Sequence, residues 1–138
     1  MLDRKAIDEG ALVNKAIDAL SLSYSPYSGF PVGAALLCTD GSVYQGANIE
    51  NSSYPCGVCA ERVALFHAMM DGKSKEDFVA LAIVTDTEGV ASPCGLCRQV
   101  ISELFPEEAP IYLGNSHGDI RVTNIGELLP FAFNGDEL

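Results

Sequence analysis

Two Cys-x-x-Cys pairs carry the chemistry most visibly in this sequence: Cys56-Gly57-Val58-Cys59 and Cys94-Gly95-Leu96-Cys97. At that spacing one turn of chain offers two sulfurs to one tetrahedral ion, and zinc is the ion most content with several thiolates. Both pairs stand where a loop is expected to enter a helix. The free N–H groups and the positive dipole end found there favour thiolates and so favour ligation. A closed four-cysteine knot that uses both pairs is one arrangement. The 34 residues between Cys59 and Cys94 make a longer spacing than most zinc ribbons have. Glu61 suggests a second arrangement, because it is an ionisable residue in the first turn of a helix that is otherwise apolar. Buried carboxylates are rare unless they are paired, bound to metal or catalytic. Beside three thiolates and an open fourth coordination position, a carboxylate can accept a proton from water.

The rest of the composition narrows the class. The chain has 138 residues, which suits a single domain spanning 1–138. Eight basic side chains against 19 acidic ones leave a net charge of −11. That balance argues against binding a phosphate backbone, which needs clustered Lys and Arg. No apolar stretch approaches the roughly 20 residues of a membrane span. The start Met1-Leu2-Asp3-Arg4-Lys5-Ala6 turns polar at once, unlike a secretory leader. The end Gly135-Asp136-Glu137-Leu138 half-resembles a retention tail that would have nothing to retain. Five cysteines, an odd number, disfavour a disulfide framework. A cytoplasmic domain is the expectation, with Cys38 as a small core residue.

The elements that must position the two cysteine pairs follow from periodicity. Residues Asp3 to Leu20 carry Ile7, Ala11, Leu12 and Ala16 near helical spacing. After a loop rich in Ser, Pro and Gly, Val32 to Cys38 and Val43 to Glu50 read as strands of a hairpin turning at Asp40-Gly41. Cys59 to Met70 is apolar on nearly every side, the pattern of a buried helix, with Gly72 as its stop. Val79 to Val84 reads as a central strand covered on both faces. Cys97 to Phe105 is a helix ending before Pro106, Ile111 to Leu113 a short strand, and Gly126 to Pro130 a helical turn. Strand–helix alternation beside a hairpin gives an α/β three-layer sandwich around a mixed sheet.

Cys59-Ala60-Glu61 followed by Pro93-Cys94-Gly95-Leu96-Cys97-Arg98-Gln99 resembles the zinc signature of the cytidine deaminase family in its three-cysteine form. The resemblance extends to Tyr27-Ser28-Gly29-Phe30-Pro31-Val32-Gly33-Ala34-Ala35, to Asn48-Ile49-Glu50-Asn51 and to Glu127-Leu128-Leu129-Pro130. It implies a mixed five-stranded α/β/α fold and a small enzyme that assembles as a homotetramer with shared active sites. The implied reaction converts cytidine and deoxycytidine to uridine and deoxyuridine in pyrimidine salvage. The implied ligands of one zinc ion per chain are Cys59, Cys94 and Cys97, with Cys56 pointing elsewhere. Glu61 would be the proton carrier.

The same resemblance gives roles to residues that the pattern alone would leave bland. Asn48 and Glu50 lie two apart, so in a strand both project from one face. Periodicity reads that face as solvated, whereas the family's Asn-x-Glu pair binds the ribose 3′-hydroxyl. Phe30 alone would be a core anchor, and it resembles the aromatic that packs on the pyrimidine ring. The backbone N–H of Ala60 would take the base carbonyl. Tyr54 and Phe133 resemble residues that reach a neighbouring subunit's site. Arg62 and Arg98, two of only four arginines, follow ligand cysteines closely enough to hydrogen-bond sulfur and offset its charge. The family's counterpart of Arg62 does so. His67 and His117 fit no motif and read as structural.

Other readings predict other behaviour. A deaminase of a nucleoside-like antibiotic such as blasticidin S would not need the ribose clamp. A polynucleotide editor would need a basic groove. An inactive structural-zinc module would bind metal yet ignore Glu61→Ala. A thiol redox protein using Cys56 and Cys59 would leave the second pair idle.

Overall fold

The computed structural model describes residues 7–138. Helix α1 spans Glu9–Ala19 and starts there because the Asp8 carboxylate accepts a hydrogen bond from the Ala11 N–H at 3.0 Å. Of the expected helix over Asp3 to Leu20, residues 3–6 lie outside the described ones, while Ile7 and Asp8 precede the helix and Leu20 follows it. Strands β1 (Val32–Cys38) and β2 (Val43–Ala47) form the expected hairpin, with Gly41 at φ 87° in its turn. Helix α2 spans Ala60–Met70, β3 Phe78–Thr85 and α3 Gly95–Leu104. Strands β4 (Ile111–Asn115) and β5 (Ile120–Thr123) and the short helix α4 (Ile125–Leu128) complete the chain.

The sheet order is β2-β1-β3-β4-β5. Only the β3–β4 pair is parallel, and α3 makes its crossover. Successive side chains in β1 and β3 serve opposite faces. Ala34, Leu36, Leu81 and Ile83 pack with Ala64, Leu65, Ile101 and Phe105 from α2 and α3. Ala35, Ala80, Ala82 and Val84 pack on the other face with Leu12, Val13 and Ala16 of α1. The result is the expected three-layer sandwich, with α1 alone on one side. Because both faces are covered, every residue of β3 is buried. Cys38 lies fully buried in the core.

Glycine sets the spacing between helix and sheet at one decisive place. A Cβ on Gly46 would stand 2.4 Å from the Ala60 carbonyl oxygen and 2.6 Å from the Ala64 nitrogen. The backbone of α2 therefore rests directly on β2, which fixes where the helix begins.

Three expectations change. The second hairpin strand ends at Ala47 instead of Glu50, because the Asn48 side chain bonds to the backbone of Phe30 and Val32. Strand β5 does not show in the residue pattern, being four residues long with Arg121 and Val122 exposed, and it supplies the fifth strand that the family resemblance implies. Helix α2 is not buried all round: Phe66, Met69 and Met70 are exposed, at 42%, 41% and 87%. Its outer face is apolar yet uncovered within one chain.

Candidate active site

The starts of α2 and α3 converge at the expected place. Cys59 occupies the position before the first residue of α2, and Cys94 the same position on α3, and neither side chain caps its helix. Cys97 sits in the first turn of α3 and is fully buried. The three sulfurs all lie within 4.8 Å of one another, with Cys59 Sγ 3.8 Å from Cys94 Sγ and Cys94 Sγ 3.3 Å from Cys97 Sγ. Zn–S bonds of ~2.3 Å would make a tetrahedral S···S edge of about 3.8 Å, so this soft, three-sulfur donor set fits zinc. Cys56 is exposed and stands outside the group.

Ionisation among these groups follows from their packing. A hydrogen bond from Cys97, with further ones from Arg62 and Cys94, holds the Cys59 thiol well below its usual range, at about 5. The Cys97 thiol is pushed up by its hydrogen bond to Cys59 and by burial. Ionisation is thus favoured at Cys59 and opposed at Cys97. Arg62 Nη2 stands 3.6 Å from Cys59 Sγ, while its Nε is buried with no hydrogen-bond partner among the described residues. Glu61 is only 3% exposed. Burial raises its pKa, opposed by donation from its own backbone N–H and from the Cys97 thiol. A carboxyl whose protonated form is favoured by burial is suited to holding a proton.

Arg98 departs from its expected place. Its Nε donates to the Pro93 carbonyl at 2.8 Å, its Nη1 to the Leu128 carbonyl at 2.7 Å and its Nη2 to Ser92 Oγ at 2.8 Å. None of its hydrogen bonds reaches a sulfur. Arg98 instead braces the loop before Cys94 against α4, because a side chain one position after Cys97 points back along the helix and away from the metal group.

A cavity of about 390 Å³ opens beside these helix starts, lined by Phe30, Asn48, Glu50, Ala60, Glu61 and Cys94 among others. The segment after β2 is brought there by a pair of backbone bonds between Ile49 and Val58, 3.0 and 2.9 Å long. Asn48 Oδ1 accepts from Val32 N at 2.9 Å, and Asn48 Nδ2 donates to the Phe30 carbonyl at 3.0 Å. Glu50 Oε1 accepts from the N–H groups of Tyr27 and Ser28 at 3.0 and 3.1 Å, and Oε2 from Ser28 Oγ at 2.5 Å. These bonds, the Ser28 hydroxyl foremost, hold the Glu50 carboxyl below its usual pKa.

Sequence reasoning missed Ser28, Ile83, Thr85 and Ser92 in this lining. For Ile83 and Thr85 the available signal was their place at the C-terminal end of a parallel strand, where open α/β sheets bind ligands. A larger hollow of about 510 Å³ adjoins the cavity and shares Ser28, Asn48, Glu50 and Cys59 with it. It is lined by Tyr27, Ile49, Tyr54 and Leu96 and lacks Glu61, so the chemistry belongs to the smaller one. Tyr54 is 77% exposed in that hollow, edge-on to Tyr27, and Phe133 is exposed elsewhere, its carbonyl accepting from Gln99. Neither lines its own chain's cavity.

Three thiols and a buried carboxyl at the meeting of two helix starts, on the C-terminal side of a parallel strand pair, define a zinc-dependent hydrolase site. Residues 7–113 match the family model for the cytidine and deoxycytidylate deaminase zinc-binding region. The chain belongs to that family. It is 51% identical over 132 residues to the cytidine deaminase of Halalkalibacterium halodurans, covering 96% of this chain and 98% of the relative. It is 40% identical to the cytidine deaminase of Mycobacterium tuberculosis, with 96% and 94% of the two chains covered. The crystal structure of the Burkholderia pseudomallei cytidine deaminase superposes with a TM-score of 0.89 at 47% identity, over 92% of this chain and 100% of that one.

Proposed function

We propose that this protein deaminates cytidine and deoxycytidine hydrolytically, giving uridine and deoxyuridine and releasing ammonia. Cys59, Cys94 and Cys97 would hold one zinc ion, which when bound supplies Lewis-acid activation of water near neutral pH. The single observation carrying the reading is Glu61, a carboxyl 3% exposed that lines the cavity beside the three sulfurs. Glu61 takes a proton from the attacking water and delivers it to N3 as the water oxygen bonds to C4. It then takes the second proton from the new C4 hydroxyl and gives it to the amine, which leaves as ammonia when the C4–N bond breaks. Arg62 lends positive charge to the Cys59 sulfur. The Ala60 N–H, at the free end of α2, receives the base carbonyl. Phe30 packs on the ring, and Asn48 and Glu50 face the sugar.

Assembly as a homotetramer is supported by the apolar outer face of α2, with Phe66, Met69 and Met70 exposed, and by the exposed Tyr27, Ile49, Tyr54 and Leu96. Contiguous apolar surface of this kind marks an interface. Tyr54 and Phe133 would then serve a neighbouring copy's cavity. The setting we assign is the cytoplasm, in pyrimidine salvage. The test is ammonia release from cytidine by zinc-loaded protein, with Glu61→Ala as its companion. Turnover by the wild type and near-total loss in the variant are expected. No turnover on cytidine would overturn the reading and turn attention to nucleoside-like antibiotics. Metal content unchanged by Glu61→Ala, with no activity in either protein, would mark a structural zinc module.

A further inference from the structure

Ser28 belongs to none of the roles above, yet its hydroxyl uses both its donor and its acceptor capacity at the mouth of the cavity. Its Oγ donates to Glu50 Oε2 at 2.5 Å and accepts the Phe30 N–H at 3.0 Å. A serine hydroxyl has one proton to give and two lone pairs, so this pair of bonds fixes which way it points. The loop is shaped for it. Gly29 stands at φ 64°, in the left-handed region, and its N–H donates to the Ser25 carbonyl at 3.0 Å. That turn folds Phe30 back over the serine. The Glu50 carboxylate is thus held at both oxygens, with the Ser28 contact the only side-chain donor among its partners.

We infer that Ser28 is a positioning residue that aims the remaining free lone pair of Glu50 at the sugar. A carboxylate offers about four acceptor sites, and three are taken by Tyr27 N, Ser28 N and Ser28 Oγ. The direction of the remaining one depends on the rotation of the carboxylate plane. The two backbone donors hold only Oε1, so Ser28 Oγ is what stops Oε2 from swinging. The Phe30 N–H, which the Ser28 oxygen accepts, fixes the direction in which that hydroxyl donates. The inference rests on the proposal that Glu50 faces the sugar.

The experiment compares cytidine with its 3′-deoxy analogue as substrates for the wild type, Ser28→Ala, Ser28→Thr and Glu50→Gln. Ser28→Ala is expected to raise KM for cytidine about tenfold, the size of one charge-assisted hydrogen bond, with kcat changed much less. Its penalty on the 3′-deoxy analogue is expected to be under about twofold, and Ser28→Thr, which keeps a hydroxyl, is expected to recover most of the cytidine KM. An equal loss on both substrates would mean that Ser28 merely stabilises the loop and would overturn the inference. If Glu50→Gln loses discrimination between the two substrates while Ser28→Ala keeps it, the inference fails alone. If Glu50→Gln discriminates as the wild type does, the sugar assignment fails and the inference falls with it.

Discussion

Two glutamates line one cavity and live in opposite electrostatic surroundings. Glu61 is buried at the start of α2 against sulfurs, and burial raises its pKa. Glu50 lies on a loop wall, accepts three hydrogen bonds, and is held below its ordinary range by them. Both begin from nearly the same intrinsic acidity, so the difference is wholly environmental. A carboxyl whose charged form burial disfavours can take up a proton and hold it. A carboxyl ringed by N–H and O–H donors stays a fixed anion and serves as an acceptor. Under the proposed function, carboxyls pushed apart in this way divide the work of one site, the first handling protons and the second handling position. The cavity therefore has a reactive wall made of two helix starts and a recognition wall made of a loop and the segment after β2.

The largest effects should fall on the reactive wall. Cys97→Ser removes the fully buried member of the sulfur group, and the purified variant is expected to hold less than about a tenth of the wild-type zinc with no measurable turnover. Cys56→Ser, at an exposed cysteine outside the group, is expected to keep full metal content. Loss of zinc from Cys56→Ser would break the assignment of three ligands. Next comes the contrast between the two glutamates. Glu61→Gln keeps the shape and removes the proton carrier, so kcat is expected to fall by about 10²–10⁴-fold with zinc retained. Glu50→Gln is expected to act mainly on KM, by about tenfold. Steady-state kinetics of both variants settle the matter, and a shared effect on the same constant would collapse the two walls into one.

The reactive wall was largely legible in the sequence and the recognition wall was not, for a physical reason. Cys59, Glu61, Cys94 and Cys97 sit at helix starts, and spacing within one turn together with an acidic residue in an apolar helix are local signals. Asn48 and Glu50 act through bonds to Val32 and Phe30, 16 and 18 residues away, and to Tyr27 and Ser28, 23 and 22 away. No periodicity reports such distant partners, which is why a solvated strand face was the plain reading. The uncovered face of α2 shows the same limit from the other side. Phe66, Met69 and Met70 read as buried from their apolar pattern, yet they are exposed in the single chain, because periodicity reports that a face is apolar and not what covers it.

Smaller effects should separate the two arginines. Arg62 stands at a sulfur, whereas Arg98 binds two carbonyls and a serine hydroxyl. Arg62→Gln is expected to lower activity severalfold with little change in thermal midpoint. Arg98→Ala leaves the Pro93 and Leu128 carbonyls without their donor and is expected to cost about 2–3 kcal/mol of stability. Thermal denaturation and kinetics on the two variants test this directly. If Arg98→Ala left stability untouched and depressed turnover, the arginine would belong with the sulfurs after all.

The smallest effect is a pH dependence that should be nearly absent. The pKa of Glu50 is lowered on folding, so its hydrogen bonds contribute in full above the unfolded value of about 4.3 and fade only as pH falls through the lower folded one. KM for cytidine should therefore stay flat from about pH 8 to about pH 5. Ser28→Ala removes the foremost cause of the lowered pKa, so its Glu50 should protonate at a higher pH and its KM should begin to rise sooner on acidification. Profiles of KM against pH for the two proteins test the sign. If the two profiles coincide, the backbone N–H groups of Tyr27 and Ser28 suffice to keep Glu50 ionised. The recognition wall would then owe its charge to the main chain, as the reactive wall owes its free N–H groups to the starts of α2 and α3.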